Sequence, residues 1–101
     1  MPLRCALILG AACVLALGVP AVAADGRDPA AIADACAACH GPDGRSTGAI
    51  PSIAGQPAAD LAAAMRAFRV GERPATVMTR IAKGFDDAEI EALAAYLGGL
   101  R

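Results

Sequence analysis

The sequence is poor in aromatic side chains. Its 101 residues include no tryptophan, one tyrosine and two phenylalanines. Alanine is abundant instead, and it buries little of the apolar area whose burial stabilises a fold by roughly 25 cal/mol per Å². A chain of this length forms at most one domain, and a small domain with so little core material is only marginally stable. We therefore predict that something large and apolar, other than a side chain, completes the core.

The sequence also lacks a surplus of charge of either sign. Lys and Arg total 9 and Asp and Glu total 10, which gives a formal net charge of −1. Proteins that bind nucleic acid usually carry a basic surplus on one face. We therefore exclude nucleic acid as a partner.

The first 24 residues have the pattern of a secretory signal peptide. Arg4 precedes an apolar run over residues 5–19, and Pro20 and a series of small residues follow. A basic start, an apolar middle and a small-residue end are typical of such a leader. A membrane anchor is the alternative, but the run is shorter than the ~20 residues that a spanning helix needs.

We accordingly predict a signal peptide at residues 1–24 and a mature domain at residues 25–101. Cleavage is expected after Ala23 or after Ala24, because both positions satisfy the small-residue rule. The mature domain would be exported to the periplasm of a bacterium and would not span the membrane. Of the four cysteines, two leave with the signal peptide, so a framework of several disulfides is excluded.

Residues 25–101 show helical periodicity and no alternating strand pattern, so we predict an all-α fold of about three helices. Asp28 and Asp86 are placed as N-caps, and Glu89 follows Asp86 at the spacing of a capping box. The segment 41–57 is rich in Gly and Pro and is predicted to be a long loop that wraps a ligand. The helices are expected at residues 29–39, 58–70 and 87–97, with a short helical turn at 78–82.

The sequence C-A-A-C-H at residues 36–40 is the most informative motif. A zinc site needs four ligands, and the mature domain has only Cys36, Cys39 and His40 as its cysteines and histidine. A thioredoxin-like redox pair begins a helix that follows a strand, whereas this pair ends a predicted helix. A disulfide between the two cysteines would close a small ring and stabilise little. These three alternatives are all less favoured than covalent haem.

Covalent haem accounts for each part of the motif. C-x-x-C-H is the attachment sequence of c-type haem. The three-residue spacing puts both thiols on one helical face, where each can add to one of two neighbouring vinyl groups. We predict one haem c, bound through Cys36 and Cys39, with His40 as an axial ligand of the iron. The haem would also supply the apolar material that the core lacks.

A methionine is the expected second axial ligand. Only Met65 and Met78 remain after signal removal. Met65 lies on the same helical stripe as Leu61 and Phe68 and is expected to pack in the core, whereas Met78 lies in a segment bounded by Gly and Pro. We therefore favour Met78. Iron with both axial positions filled passes single electrons and binds no substrate, so we expect an electron carrier with no catalytic residues of its own.

Together these features resemble the class I cytochromes c over the whole of residues 25–101. The resemblance implies a small all-α fold with long loops around one haem. It also implies that the carbonyl of Pro51 accepts a hydrogen bond from the axial imidazole and that Ile53 contacts the haem. Tyr96 would lie where the last helix crosses the first.

A narrower similarity concerns the cytochrome subunits of flavocytochrome c sulfide dehydrogenases. It is carried by C-A-A-C-H-G, S-T-G-A-I-P-S-I-A-G-Q and, most specifically, R-I-A-K-G-F. In its single-haem form, the resemblance implies that a sulfide-oxidising flavoprotein is the partner and passes electrons to the haem. A free-standing soluble shuttle between membrane redox complexes is the alternative.

Charged residues between positions 66 and 91 form two clusters of opposite sign. We expect them to create a charge dipole that orients a docking partner, with two merely solvated faces as the alternative. The basic cluster comprises Arg66, Arg69, Arg73, Arg80 and Lys83, and the acidic cluster comprises Asp86, Asp87, Glu89 and Glu91.

Overall fold

A computed structural model describes residues 26–101 of the chain. The predicted signal peptide and its cleavage site lie outside the described residues. Within them the fold is helical and contains no strand, which confirms the all-α prediction. The elements are α1 (Pro29–His40), a 3₁₀ turn (Pro42–Gly44), α2 (Ala58–Arg69), α3 (Met78–Ala82) and α4 (Asp87–Gly99).

The N-termini of α1 and α4 are capped as predicted. The Asp28 carboxylate accepts a hydrogen bond from the amide of Ala30 at 3.1 Å. At α4 the Asp86 carboxylate accepts from the amide of Glu89 at 2.8 Å, and the Glu89 side chain bonds back to the amide of Asp86. Both caps satisfy amide groups that have no partner inside the helix.

One predicted helix boundary is wrong, and one loop is more regular than expected. Helix α4 continues through Gly98 to Gly99, although the glycine pair was expected to end it. Glycine at this position is explained by a close approach instead, because a Cβ atom at Gly98 would lie 2.9 Å from the carbonyl oxygen of Gln56. Gly98 therefore serves packing between α4 and the start of α2. The loop 41–57 is also less irregular than expected, since it contains the 3₁₀ turn.

The core lies where α1 and α2 pack against α4. Its largest fully buried side chain is Ile90, and the described residues include no buried polar or charged residue. Ala82 of α3 is also fully buried. Such a core is small, as the composition predicts. Its members are Ile32, Ala33, Leu61, Ala62, Ile90, Leu93, Ala94 and Leu97, with Cys36, Ile53, Met65, Phe85 and Leu100 packed against it.

Ion pairs join α2 to α4 and connect parts of the two predicted charge clusters. Arg66 and Arg69 of the basic cluster pair with residues in the first two turns of α4. The charge dipole as a whole stays a prediction. The pairs are Arg66–Asp87 at 3.4 Å, Arg66–Glu91 and Arg69–Asp87 at 2.6 Å, with Arg27–Glu89 at 2.7 Å beyond α2.

Over residues 26–101, no helix has both the length and the apolar character that crossing a bilayer would require.

Candidate functional site

The last two turns of α1 carry the two thiols of the C-A-A-C-H motif. Cys36 is half-buried against the core, whereas Cys39 is exposed, and both thiols are free. Loss of solvation on burial raises the pKa of Cys36, so this group remains a protonated thiol at neutral pH. The two side chains are thus available on one helix and are not joined in a disulfide.

The zinc and redox alternatives find no support in the described part of the chain. No group of three or more Cys, His, Asp and Glu side chains converges there as a metal site would require. The cysteines lie at the end of α1, where the helix dipole does not favour a thiolate, and no strand precedes them within residues 26–101.

His40 is oriented by the backbone of the following loop. Its Nδ1 lies 2.6 Å from the carbonyl oxygen of Pro51. Because a carbonyl only accepts hydrogen bonds, Nδ1 must carry the proton and donate it. The other ring nitrogen, Nε2, then keeps its lone pair for a metal ion, which is the arrangement that holds metal-ligating histidines in position.

The loop that presents Pro51 is held on both of its sides. The carbonyl of Gly44 accepts hydrogen bonds from the amides of Ile53 at 2.8 Å and Ala54 at 3.1 Å. The amide of Ser46 donates to the hydroxyl of Ser52 at 2.9 Å. Sequence reasoning did not identify these contacts; the density of Ser and Gly around Pro51 was the available signal for a tightly turned loop.

Gly41 makes the turn from α1 into this loop. It adopts φ 87°, a left-handed conformation that residues with a side chain rarely take. A Cβ atom there would overlap the carbonyl oxygen of Arg45 and lie 2.9 Å from the Cα of Ser46. From sequence Gly41 was only the first residue of the Gly- and Pro-rich loop 41–57, but the turn directly beside His40 needs glycine.

We expect Gly41→Ala to destabilise the protein by more than about 2 kcal/mol, through left-handed strain and backbone overlap. Gly48→Ala is the matched control in the same loop, because a Cβ there would meet no atom within 4 Å. The control should change stability by less than about 0.5 kcal/mol. Urea unfolding of both variants measures the difference, and equal losses would show that the turn does not require glycine.

The two methionines occupy different surroundings. Met65 is in the interior of α2 and packs against the core cluster. Met78 is the first residue of α3 and is only partly buried, between Val77 at 55% exposure and, one turn on, Ile81 at 44%. Met78 thus belongs to a short helix, and the apolar residues Val77 and Ile81, its neighbours in sequence, are exposed.

A shallow cavity of about 360 Å³ lies between the end of α1 and the loop that follows. It reaches Cys39 but not His40, Ile53 or Met78, so it adjoins the motif and is not the place where the candidate ligands meet. Ile53 is partly buried, and its side chain lies close to Gly44.

The donor set fits a covalently bound haem. Two free thiols at a three-residue spacing can form thioethers, and an imidazole with an unused Nε2 follows them directly. A thioether is available on another element, and exposed apolar side chains flank it. The small core and the uncovered apolar groups are what a bound apolar macrocycle would complete.

Comparisons with known proteins agree with this assignment. The sequence model of the cytochrome c family matches residues 24–101. The chain is 46% identical over 65 residues to the cytochrome subunit of sulfide dehydrogenase of Chlorobaculum tepidum, covering 64% of this chain and 59% of that protein. It is 42% identical over 69 residues to the thiosulfate dehydrogenase electron acceptor of Stutzerimonas stutzeri, covering 64% of this chain and 32% of that protein.

A third relative matches nearly from end to end. Cytochrome c-553 of Nitratidesulfovibrio vulgaris is 33% identical over 103 aligned positions, which cover 96% of this chain and 98% of that protein. The chain therefore spans 59% and 32% of the first two relatives but almost the full length of the third.

Proposed function

Because this chain belongs to the cytochrome c family, and is accordingly a monohaem electron carrier with haem c as its cofactor, we propose that Cys36 and Cys39 hold the haem. His40 and Met78 would be the axial ligands. The observation that carries this assignment is the 2.6 Å contact between His40 Nδ1 and the Pro51 carbonyl, immediately after two free thiols on the same helix.

Each residue then has a physical task. The carbonyl of Pro51 would keep the proton on Nδ1 of His40, which restrains the ring and leaves Nε2 as a lone-pair donor. Ile53 would contact the haem. When bound, haem iron supplies a one-electron change between its ferric and ferrous states. His40 would hold the iron through Nε2 and Met78 through its sulfur, and such a pair of ligands would raise the reduction potential relative to two imidazoles and leave the iron to electron transfer.

We propose further that the electrons come from a flavoprotein that oxidises sulfide. Support comes from the Chlorobaculum relative, whose name is the cytochrome subunit of sulfide dehydrogenase. The Stutzerimonas relative is likewise named as the electron acceptor of a dehydrogenase. In this proposal residues 1–24 are removed on export, and the domain at 25–101 works in the periplasm as a haem subunit that is not catalytic alone.

A free-standing soluble electron shuttle is the second candidate. The observation in its favour is the end-to-end match to cytochrome c-553, a relative of nearly the same length. The ion pairs between α2 and α4 engage charges that could have oriented a partner. The subunit and the shuttle are therefore best distinguished by whether the protein stays bound to a flavoprotein, and not by its surface charge.

Purification from the native source at ~1 M salt, where charges are screened beyond ~3 Å, distinguishes the two. A permanent subunit should co-elute with a flavin-containing chain, and sulfide should reduce its haem within the purified complex. Thiosulfate in place of sulfide is the substrate control and should leave the haem oxidised. The subunit proposal is wrong if the cytochrome elutes alone at low salt and stays oxidised when the flavoprotein and sulfide are added back.

A further inference from the structure

The short connection between α3 and α4 is bound by two arginines from distant parts of the chain. Arg27 donates from Nη2 to the carbonyl of Gly84 at 2.6 Å. Arg69 donates from Nη1 to the carbonyl of the next residue, Phe85, at 3.2 Å. Two consecutive carbonyls, directly after the helix that Met78 begins, are thus each bound by a guanidinium.

Each of these arginines is also anchored to the first turn of α4. Arg69 contacts Asp87 through Nη2 at 2.6 Å. Arg27 contacts Glu89 through Nε at 2.7 Å and Nη2 at 3.2 Å. The guanidinium carbon of Arg27 also lies 4.6 Å from the centre of the Phe85 ring. Each side chain therefore ties the connection to α4, using the several donors that a planar guanidinium provides.

The ionised state of both carboxylates is favoured by the same contacts. The hydrogen bond from Arg69 is the main cause that lowers the pKa of the Asp87 carboxyl, and Arg27 acts in the same way on Glu89. Both anchors are therefore charged at neutral pH.

Helix α3 has few other restraints. It is five residues long with no side-chain N-cap, and it follows the exposed Val77. No side-chain hydrogen bond within the described part of the chain reaches residues 74–83. Ala82 is the buried residue of α3, and the helix packs against α2. A helix this short does not persist without tertiary contacts, so its position depends on its packing against α2 and on what holds its C-terminal exit.

We propose that Arg27 and Arg69 are positioning residues for Met78. By fixing the carbonyls of Gly84 and Phe85 against α4, they hold α3 in place and so keep the sulfur of Met78 in position to bind the iron. This inference rests on the axial role proposed for Met78. Loss of either arginine side chain lowers the free energy needed for local opening of α3, while the core of α1, α2 and α4 stays intact.

Competition by free imidazole for the ferric haem iron tests this inference, because imidazole binds only when Met78 has left. In the intact holoprotein, Arg69→Gln should tighten imidazole binding about tenfold, which converts to about 1.4 kcal/mol. Arg66→Gln is the matched control, since it removes the same charge and the same kind of ion pair with α4. Within residues 26–101, Arg66 makes no hydrogen bond to the α3–α4 connection. The affinity of the Arg66→Gln variant for imidazole should therefore change less than about twofold.

Arg27→Gln provides an independent arm, because its side chain is 57% exposed and is not a member of the core cluster. It should tighten imidazole binding about threefold and shift the thermal midpoint by far-UV circular dichroism no more than Arg66→Gln does. Equal imidazole affinities for the Arg69 and Arg66 variants would overturn the positioning role.

Failure of the underlying axial assignment would be seen separately. Met78→Ala should bind imidazole without competition, at an affinity above that of every arginine variant. If instead it retains wild-type competition, Met78 is not the ligand, and the proposed function is what fails.

Discussion

Alanine at both Cys36 and Cys39 is expected to abolish covalent haem attachment completely. The two thiols are the only ones outside residues 1–24, and each would form one thioether bond to the macrocycle. Wild-type protein expressed in a periplasm with haem-maturation genes should keep a mass increase of one haem after denaturation. The double variant should have the mass of the bare polypeptide.

The single variants Cys36→Ala and Cys39→Ala serve as controls for this experiment, since one remaining thiol can still form one thioether. The double variant should also lose helical content in circular dichroism, because its small core would no longer be completed by an apolar group. Wild-type protein of bare polypeptide mass under maturation conditions would refute covalent attachment.

Met78→Ala is expected to remove the weak long-wavelength absorption band of a sulfur bound to ferric haem iron. It should also lower the reduction potential, within the ~0.8 V range that axial ligands control. The physical reason is that a thioether stabilises ferrous iron more than water or a nitrogen ligand does. Visible spectroscopy and a potentiometric titration of the holoprotein measure both effects.

Met65→Ala is the matched control for the axial ligand. Met65 packs against the core, so its truncation should cost about 2 kcal/mol of unfolding free energy and leave the sulfur band in place. A band lost in the Met65 variant and kept in the Met78 variant would reverse the proposed assignment.

Local signals made the helices predictable. Asp28, Asp86 and Glu89 cap their helices through contacts within three residues, so sequence spacing alone specifies the bonds. The bounds of α3, Met78–Ala82, match the segment predicted between Gly and Pro signals. Gly98 was misread because its role depends on Gln56, a residue far away in sequence, and no local rule contains that contact.

The candidate site was likewise predictable only where its signal is local in sequence. The cysteines and His40 were identified from one five-residue motif, whereas the role of Pro51 came only from the family resemblance. The hydrogen bonds that hold its loop and the two arginine tethers depend on side chains brought together by folding. Charge order along the sequence identified the two clusters but not the ion pairs that Arg66 and Arg69 make with α4.

The packing of α1 against α4 has a consequence for the order of events during synthesis. Helix α4 supplies Ile90, Leu93, Ala94 and Leu97, half of the core cluster, yet it follows the other three helices in the chain. A contact between segments so far apart requires a large loop to close before any apolar area is buried. The chain therefore cannot complete this core until α4 is present to pack against α1 and α2. Until then Cys36, half-buried in the finished fold, stays accessible for the covalent attachment proposed above.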